Sequence, residues 1–228
     1  MSADLSFLHS PRITLITGHY GTGKTNVAVN LALALRLSLS PIALADLDIV
    51  NPYFRSADAR QALESAGVEV ILPAYANTNV DVPSLPARVA SVFDRPDLHA
   101  VLDVGGDDAG ATALGQYASR LEECGYRMLA VINARRPEIA RPEDAVAMLR
   151  AIEQASHLKV TGLINNTHLC EETTPQTVES SFQYADQCAR LSGVPLVLTT
   201  AEERIAAQLQ RPDLLPIRLY TKNYLERF

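Results

Sequence analysis

The chain has no tryptophan, only five phenylalanines and only three cysteines among its 228 residues. Cys124, Cys170 and Cys188 form no C-x-x-C pair, so neither a structural zinc site nor a dithiol redox motif is written here. An odd, sparse set of this kind points to a reducing compartment. A surplus of positive charge is also missing. Twenty basic residues stand against 26 acidic ones, a formal net charge of −6, which argues against broad electrostatic binding of nucleic acid. Long apolar runs are absent as well. The most apolar stretch, 27–47, is broken by Asn30, Arg36 and Pro41 and falls short of a membrane span, so membrane binding is not expected. The opening "MSADLSFLHSPR" has no basic segment before an apolar core, so no secretion signal is read and a cytoplasmic location is expected.

What is present is ordinary globular composition. With 47% hydrophobic and 20% charged residues, one sizeable core is within reach, and a single domain over 1–228 is expected. Strand-like apolar runs lie at 12–18, 42–48, 68–73, 100–106, 128–134, 159–165, 195–200 and 216–220. Helical segments alternate with them near 24–39, 57–66, 84–94, 110–124, 142–155, 175–192 and 202–210. This alternation predicts an α/β fold with a mostly parallel sheet of about seven or eight strands and helices on both faces. The segment "LALALRLSLS" (31–40) has leucine at every second position, the period of a strand. Leu and Ala are strong helix formers, and the motif before this segment must open into a helix, so helix is the expectation. Gly67, Gly125 and Gly193 follow helical segments as C-terminal caps should, and Pro142 and Pro175 suit first turns. The largest irregular segment, "AYANTNVDVPSLP" (74–86), reads as a connector, with a lid or partner surface as the alternative.

That motif is "GHYGTGKTN" at 18–26, which fits G-x-x-x-x-G-K-[ST] between an apolar strand and a helix. Gly18, Gly21 and Gly23 allow backbone amides to converge on phosphate. His19, Tyr20, Thr22 and Asn26 complete the candidate binding loop; Lys24 faces the outer phosphates and Thr25 offers its hydroxyl to Mg²⁺. Carboxylates follow at two strand ends. In "AVLDVGGDD", Asp103 closes an apolar run and is the candidate to hold Mg²⁺ through water, while Asp107 and Asp108 are ambiguous loop carboxylates. In "ALADLDIVNPYFR", alternation puts Asp46 and Asp48 on one face of a strand end. So close a pair needs a cation or a hydrogen-bond network to offset its repulsion.

Loop, D-x-D and D-x-G-G together resemble the MinD/ParA group of deviant phosphate-loop ATPases, over roughly 12–200 of the chain. The group includes the nitrogenase iron protein, the tail-anchored-protein targeting ATPases and the CobQ/CobB-type synthetases. The resemblance implies that Lys24 and Asp48 are catalytic, with Asp48 orienting the attacking water. It implies that Thr25, Asp46 and Asp103 serve Mg²⁺, and that Gly106 stands beside the γ-phosphate. "GLINNTHL" is similar to the group's apolar strand ending in an adenine-reading Asn, which makes Asn165, then Asn166, the candidate base reader. No N-K-x-D guanine motif was found; "YTKNY" lacks its Asp and spacing, so ATP is expected over GTP.

One departure stands out. Members of the group write K-G-G-x-G-K-[ST], and their first lysine reaches across a dimer to the partner's nucleotide. Here that offset holds His19, and Tyr20 replaces a glycine. His19 is left with three readings: a weaker cross-dimer cation, a hydrogen-bond donor, or a loop residue packed on Tyr20. A homodimer is therefore left open. The expected function is an Mg·ATP-dependent switch read by a protein partner. The alternative is an ATP-dependent small-molecule synthetase or kinase of the CobB/dethiobiotin-synthetase type, with Arg55 and the 74–86 loop lining a substrate pocket. Two further features are expected to be structural. Tyr220, Tyr224 and Phe228 form one short helical stripe, read as packing on the domain, and "THLCEE" (167–172) is read as no metal site.

Overall fold

The structure, a computed structural model, describes residues 3–47, 57–72, 87–105 and 108–220. Asp48, Arg55, Gly106, Asp107, the 74–86 loop, Tyr224 and Phe228 lie outside the described residues.

Eight strands form one sheet: β1 (Ile13–Gly18), β2 (Ile42–Asp46), β3 (Glu69–Ile71), β4 (His99–Asp103), β5 (Tyr126–Ile132), β6 (Gly162–Asn165), β7 (Leu196–Glu202) and β8 (Leu214–Ile217). Their order is β3-β2-β4-β1-β5-β6-β7-β8, and every pairing is parallel. The apolar runs of the sequence are these strands. In β1, β2 and β6 every residue is buried, as a sheet covered on both faces requires.

Helices α1 (Lys24–Arg36) and α2 (Ala57–Ser65) cover one face. There Val27, Leu31, Leu35 and Leu63 pack against Ile16, Leu44, Val101, Leu129 and Ile164. The opposite face carries α3 (Ala87–Asp94), α4 (Asp108–Gly115), α5 (Ala118–Cys124), α6 (Pro142–Ser156) and α8 (Phe182–Ser192). Short α7 (Pro175–Glu179) and α9 (Glu203–Ala206) close a smaller cluster near β7 and β8 through Val178, Ile205, Ala206 and Leu214.

The alternating leucines resolve as helix. Leu31 and Leu35 are one turn apart and buried against the sheet, whereas Leu37 lies just past the helix end and is 90% exposed. Each buried leucine contributes about 2 kcal/mol, so the sheet decides the conformation and the alternation does not. Two expected helices are each broken in two. The 110–124 segment parts between Gly115 and Ala118, and the 175–192 segment parts at Ser180 and Ser181. Gly67, Gly125 and Gly193 all have positive φ just after a helix, and Pro142 and Pro175 open α6 and α7.

Strand order reverses at β1. The chain runs outward through β2 and β3 on one side, returns to β4 beside β1, then continues on the other side from β5. A crevice at the carboxyl ends of strands forms at such a reversal. The register brings Asp103 level with both Ile16 and Asp46, Gly18 level with Val131, and Asn165 level with Ile132. All the candidate residues the structure describes therefore sit at one end of the sheet.

Candidate nucleotide-binding site

The loop between β1 and α1 starts at Gly18, whose φ is +138° and which lies flat against β5. A Cβ there would stand 2.3 Å from the Val131 carbonyl oxygen. Gly21 and Gly23 also have positive φ, +74° and +84°, and Gly23 caps α1. These dihedrals fold the loop into a turn around the carbonyl of His19. That oxygen accepts from the Thr22 amide at 3.3 Å, the Thr22 hydroxyl at 2.9 Å and the Lys24 ammonium at 3.3 Å. Lys24 is 7% exposed. Its charge is thus held over the loop beside the first turn of α1, where unpaired N–H groups favour an anion.

Residues of neighbouring strands also fasten the loop. Asn166, just past β6, donates from Nδ2 to the Thr22 carbonyl at 2.7 Å, and its Oδ1 accepts from the Thr200 hydroxyl of β7 at 2.7 Å. Arg136, in the turn after β5, donates from Nε to the Gly21 carbonyl at 2.6 Å. The His168 imidazole lies behind Gly23, with Nε2 3.2 Å from where a Cβ would be. Burial and the Arg136 charge push the pKa of His168 down to about 4, partly opposed by a hydrogen bond with the Thr22 backbone. Because the carbonyl and the following amide of one peptide point opposite ways, anchoring the Thr22 oxygen outward aims the Gly23 N–H inward.

The metal candidates are brought together. Thr25 donates its hydroxyl to Asp103 Oδ2 at 2.6 Å, joining the start of α1 to the end of β4. Asp46 is the register partner of Asp103, and the two carboxylates are 1% and 2% exposed. Their side chains leave the sheet on the face that α1 covers, since the same-parity residues Leu44 and Val101 pack under α1. The donor set is one hydroxyl and two carboxylates, all oxygen, at the mouth of a phosphate loop. That chemistry suits Mg²⁺, which takes one or two protein oxygens and completes its shell with water and phosphate. Among the described residues no three His, Cys, Asp or Glu side chains form a self-sufficient metal cage, "THLCEE" included. All three cysteines are free thiols.

The remaining candidates are placed as follows. The His19 ring sits 3.0 Å by Nδ1 from the Tyr20 carbonyl, and Tyr20 is 53% exposed. Asn26 accepts from the Tyr220 amide at 2.8 Å, tying α1 to the segment after β8. Asn165 is fully buried. Its Nδ2 donates to Ser181 and its Oδ1 accepts from Thr167, both at 2.8 Å. Both Asn165 and Asn166 thus have their amides committed to protein partners, and base reading by either requires those bonds to open. Three residues beyond Asn165 and Asn166 stand His168 and Leu169, so neither asparagine heads an N-x-x-D sequence.

Sequence reasoning missed Arg136, His168 as a loop neighbour, Asn133 and Thr200. Asn133 is fully buried, and its Oδ1 accepts from the Arg135 amide at 2.9 Å, shaping the turn that carries Arg136. "NARRPEI" has no motif spacing of its own; only its place next to the loop strand marks it.

Solved structures share this architecture. The fold is that of the phosphate-loop NTPases. The signal recognition particle receptor FtsY from Elizabethkingia anophelis matches with a TM-score of 0.55 at 16% identity, over 86% of this chain and 60% of that one. FtsY from Mycoplasma mycoides matches with a TM-score of 0.54 at 20% identity, over 91% and 64%. The cell division protein ftsY from Thermotoga maritima gives 0.54 at 18%, over 90% and 64%. The chain thus spans less than two thirds of the length of these relatives. No protein-family model and no curated protein matches the sequence. At such identities the likeness carries the phosphate-loop NTPase fold and not the MinD/ParA group in particular. Among the described residues no helix is long and apolar enough to cross a membrane.

Proposed function

We propose that the chain is an Mg²⁺-dependent ATPase of the MinD/ParA-like class, acting as a nucleotide-dependent switch for a protein partner. The observation that supports this most is the Thr25–Asp103 hydrogen bond, 2.6 Å long, at the mouth of a glycine loop whose Thr22 carbonyl is held by Asn166. The hydroxyl that would ligate the metal is already held by the carboxylate that would hold its water shell. Asp103 ends β4 and α4 starts at Asp108, so in this reading a change at Asp103 would reach that helix through a short length of chain.

In this reading the loop amides and Lys24 bind the phosphates and offset the charge that spreads over the γ-phosphoryl oxygens in transfer. Thr25 and Asp103, with Asp46 beside them, would hold Mg²⁺, which would supply positive charge to the phosphates. Asp48, proposed from the resemblance, orients the attacking water. ATP is preferred because no N-K-x-D guanine motif is written in the chain.

Titration of the purified chain with Mg·ATP, Mg·GTP and ATP in chelator tests this. Magnesium-dependent ATP binding that is lost in Lys24→Ala, with slow hydrolysis, is expected. Equal or tighter GTP binding would remove the ATP assignment. Absence of any nucleotide binding would remove the proposal.

A further inference from the structure

We propose that Arg136 supplies, from within the same chain, a positive charge to the nucleotide's phosphate tail at a site that has no lysine at His19. The inference rests on the nucleotide-binding reading above and adds a residue to it.

The guanidinium lies directly against the phosphate loop. Nε donates to the Gly21 carbonyl at 2.6 Å, and a Cβ on Gly21 would meet the guanidinium carbon at 2.5 Å. The space a side chain would occupy at this loop position is filled by Arg136. The arginine is half-buried. Among the described residues it has no carboxylate partner, and neither of its η nitrogens has a hydrogen-bond partner. Other partly buried arginines of the chain are satisfied differently. Arg211 pairs with Asp213, and Arg12 donates to the Val92, Phe93 and Leu98 carbonyls. The η nitrogens keep their donors for a further acceptor, and an anion is the acceptor that a guanidinium holds most strongly.

The turn carrying Arg136 is rigid. The Arg136 amide donates to the Asn133 carbonyl at 3.1 Å, the Arg135 amide to Asn133 Oδ1 at 2.9 Å, and the Ile139 amide to the Arg136 carbonyl at 3.1 Å. Pro137 fixes the next residue, and the Tyr184 hydroxyl donates to the Ile139 carbonyl at 2.7 Å. The charge is therefore presented on a built support. His19, by contrast, has its ring against its own neighbour's carbonyl.

The test compares Arg136→Gln with the unaltered chain and with Lys24→Ala, by titrating Mg·ATP at several salt concentrations. Gln keeps an N–H donor for the Gly21 carbonyl and removes the charge. About tenfold weaker binding is expected, with a shallower dependence on salt, because one charge-assisted contact is lost. Unchanged affinity overturns the proposal, and so does weaker binding with an unchanged salt slope, which marks a loop-holding role alone. If Arg136→Gln unfolds, Arg136→Lys serves instead: affinity within about threefold of the unaltered chain upholds the charge role, and a larger loss overturns it. Failure of the underlying reading looks different, since then the unaltered chain itself binds no nucleotide.

Discussion

The Asn166 side-chain amide donates to the Thr22 carbonyl across 2.7 Å, so the residue that follows β6 holds the phosphate loop in shape. Its oxygen is held in turn by Thr200 of β7, and both bonds are buried. Loop geometry in this protein is therefore imposed by strands far away in sequence as well as by the loop's own glycines.

Asn166→Ala removes the short donor to the Thr22 carbonyl and leaves the Thr200 hydroxyl only the Asn165 carbonyl at 3.5 Å. A stability loss of about 1–3 kcal/mol is expected in urea unfolding, together with weaker nucleotide binding. Asn166→Asp should be worse than Ala, because an ionised carboxylate cannot donate to the Thr22 oxygen. Equal stability of the Ala variant and the unaltered chain would show that the strut carries no load.

Thr25→Ala removes the hydroxyl that Asp103 holds at 2.6 Å. Nucleotide affinity in the presence of magnesium should drop roughly tenfold, while the affinity measured in chelator stays the same. Thr25→Ser should retain the magnesium effect. Loss of affinity in both conditions alike would place Thr25 in phosphate contact only.

Gly18→Ala puts a methyl group 2.3 Å from the Val131 carbonyl oxygen at a φ of +138°. The obstacle is backbone in the middle of the sheet, so no side-chain rotation relieves it. A cost of about 2–4 kcal/mol is expected in thermal or urea unfolding. Val131→Ala should not rescue it, because the clash is with main chain.

His168 has its pKa lowered from 6.5 to about 4, first by burial and then by the Arg136 charge. The unfolded chain therefore binds a proton between about pH 6.5 and pH 4 that the folded chain refuses. Unfolding free energy rises with pH through that window, and its full value is present above pH 6.5. Acidification to pH 4 should cost up to roughly 3 kcal/mol, and His168→Gln should flatten this slope in a pH series of urea midpoints. An identical slope in the variant would assign the acid sensitivity to other groups.

Much of the site was legible because its residues are written contiguously. Gly18 to Thr25 is a local motif whose dihedrals follow from glycine positions, and Asp46 and Asp103 each close an apolar run. The break at Ser180 and Ser181 was not legible. Both hydroxyls bond back to carbonyls three residues earlier, Thr177 and Val178, a local competition that helix propensity alone does not register. Arg136 was not legible either, since nothing in "NARRPEI" distinguishes it from a surface turn.

By itself the sequence determined the parallel α/β class, the phosphate loop and the two carboxylate-ended strands, because period, glycine placement and strand termini are local properties of a chain. Only the tertiary structure decided that β1 lies between β4 and β5, and that choice sets Asp103 under Thr25 and Arg136 against Gly21. Strand order is settled by which buried faces pack best across the whole sheet, and no short stretch of residues carries that information.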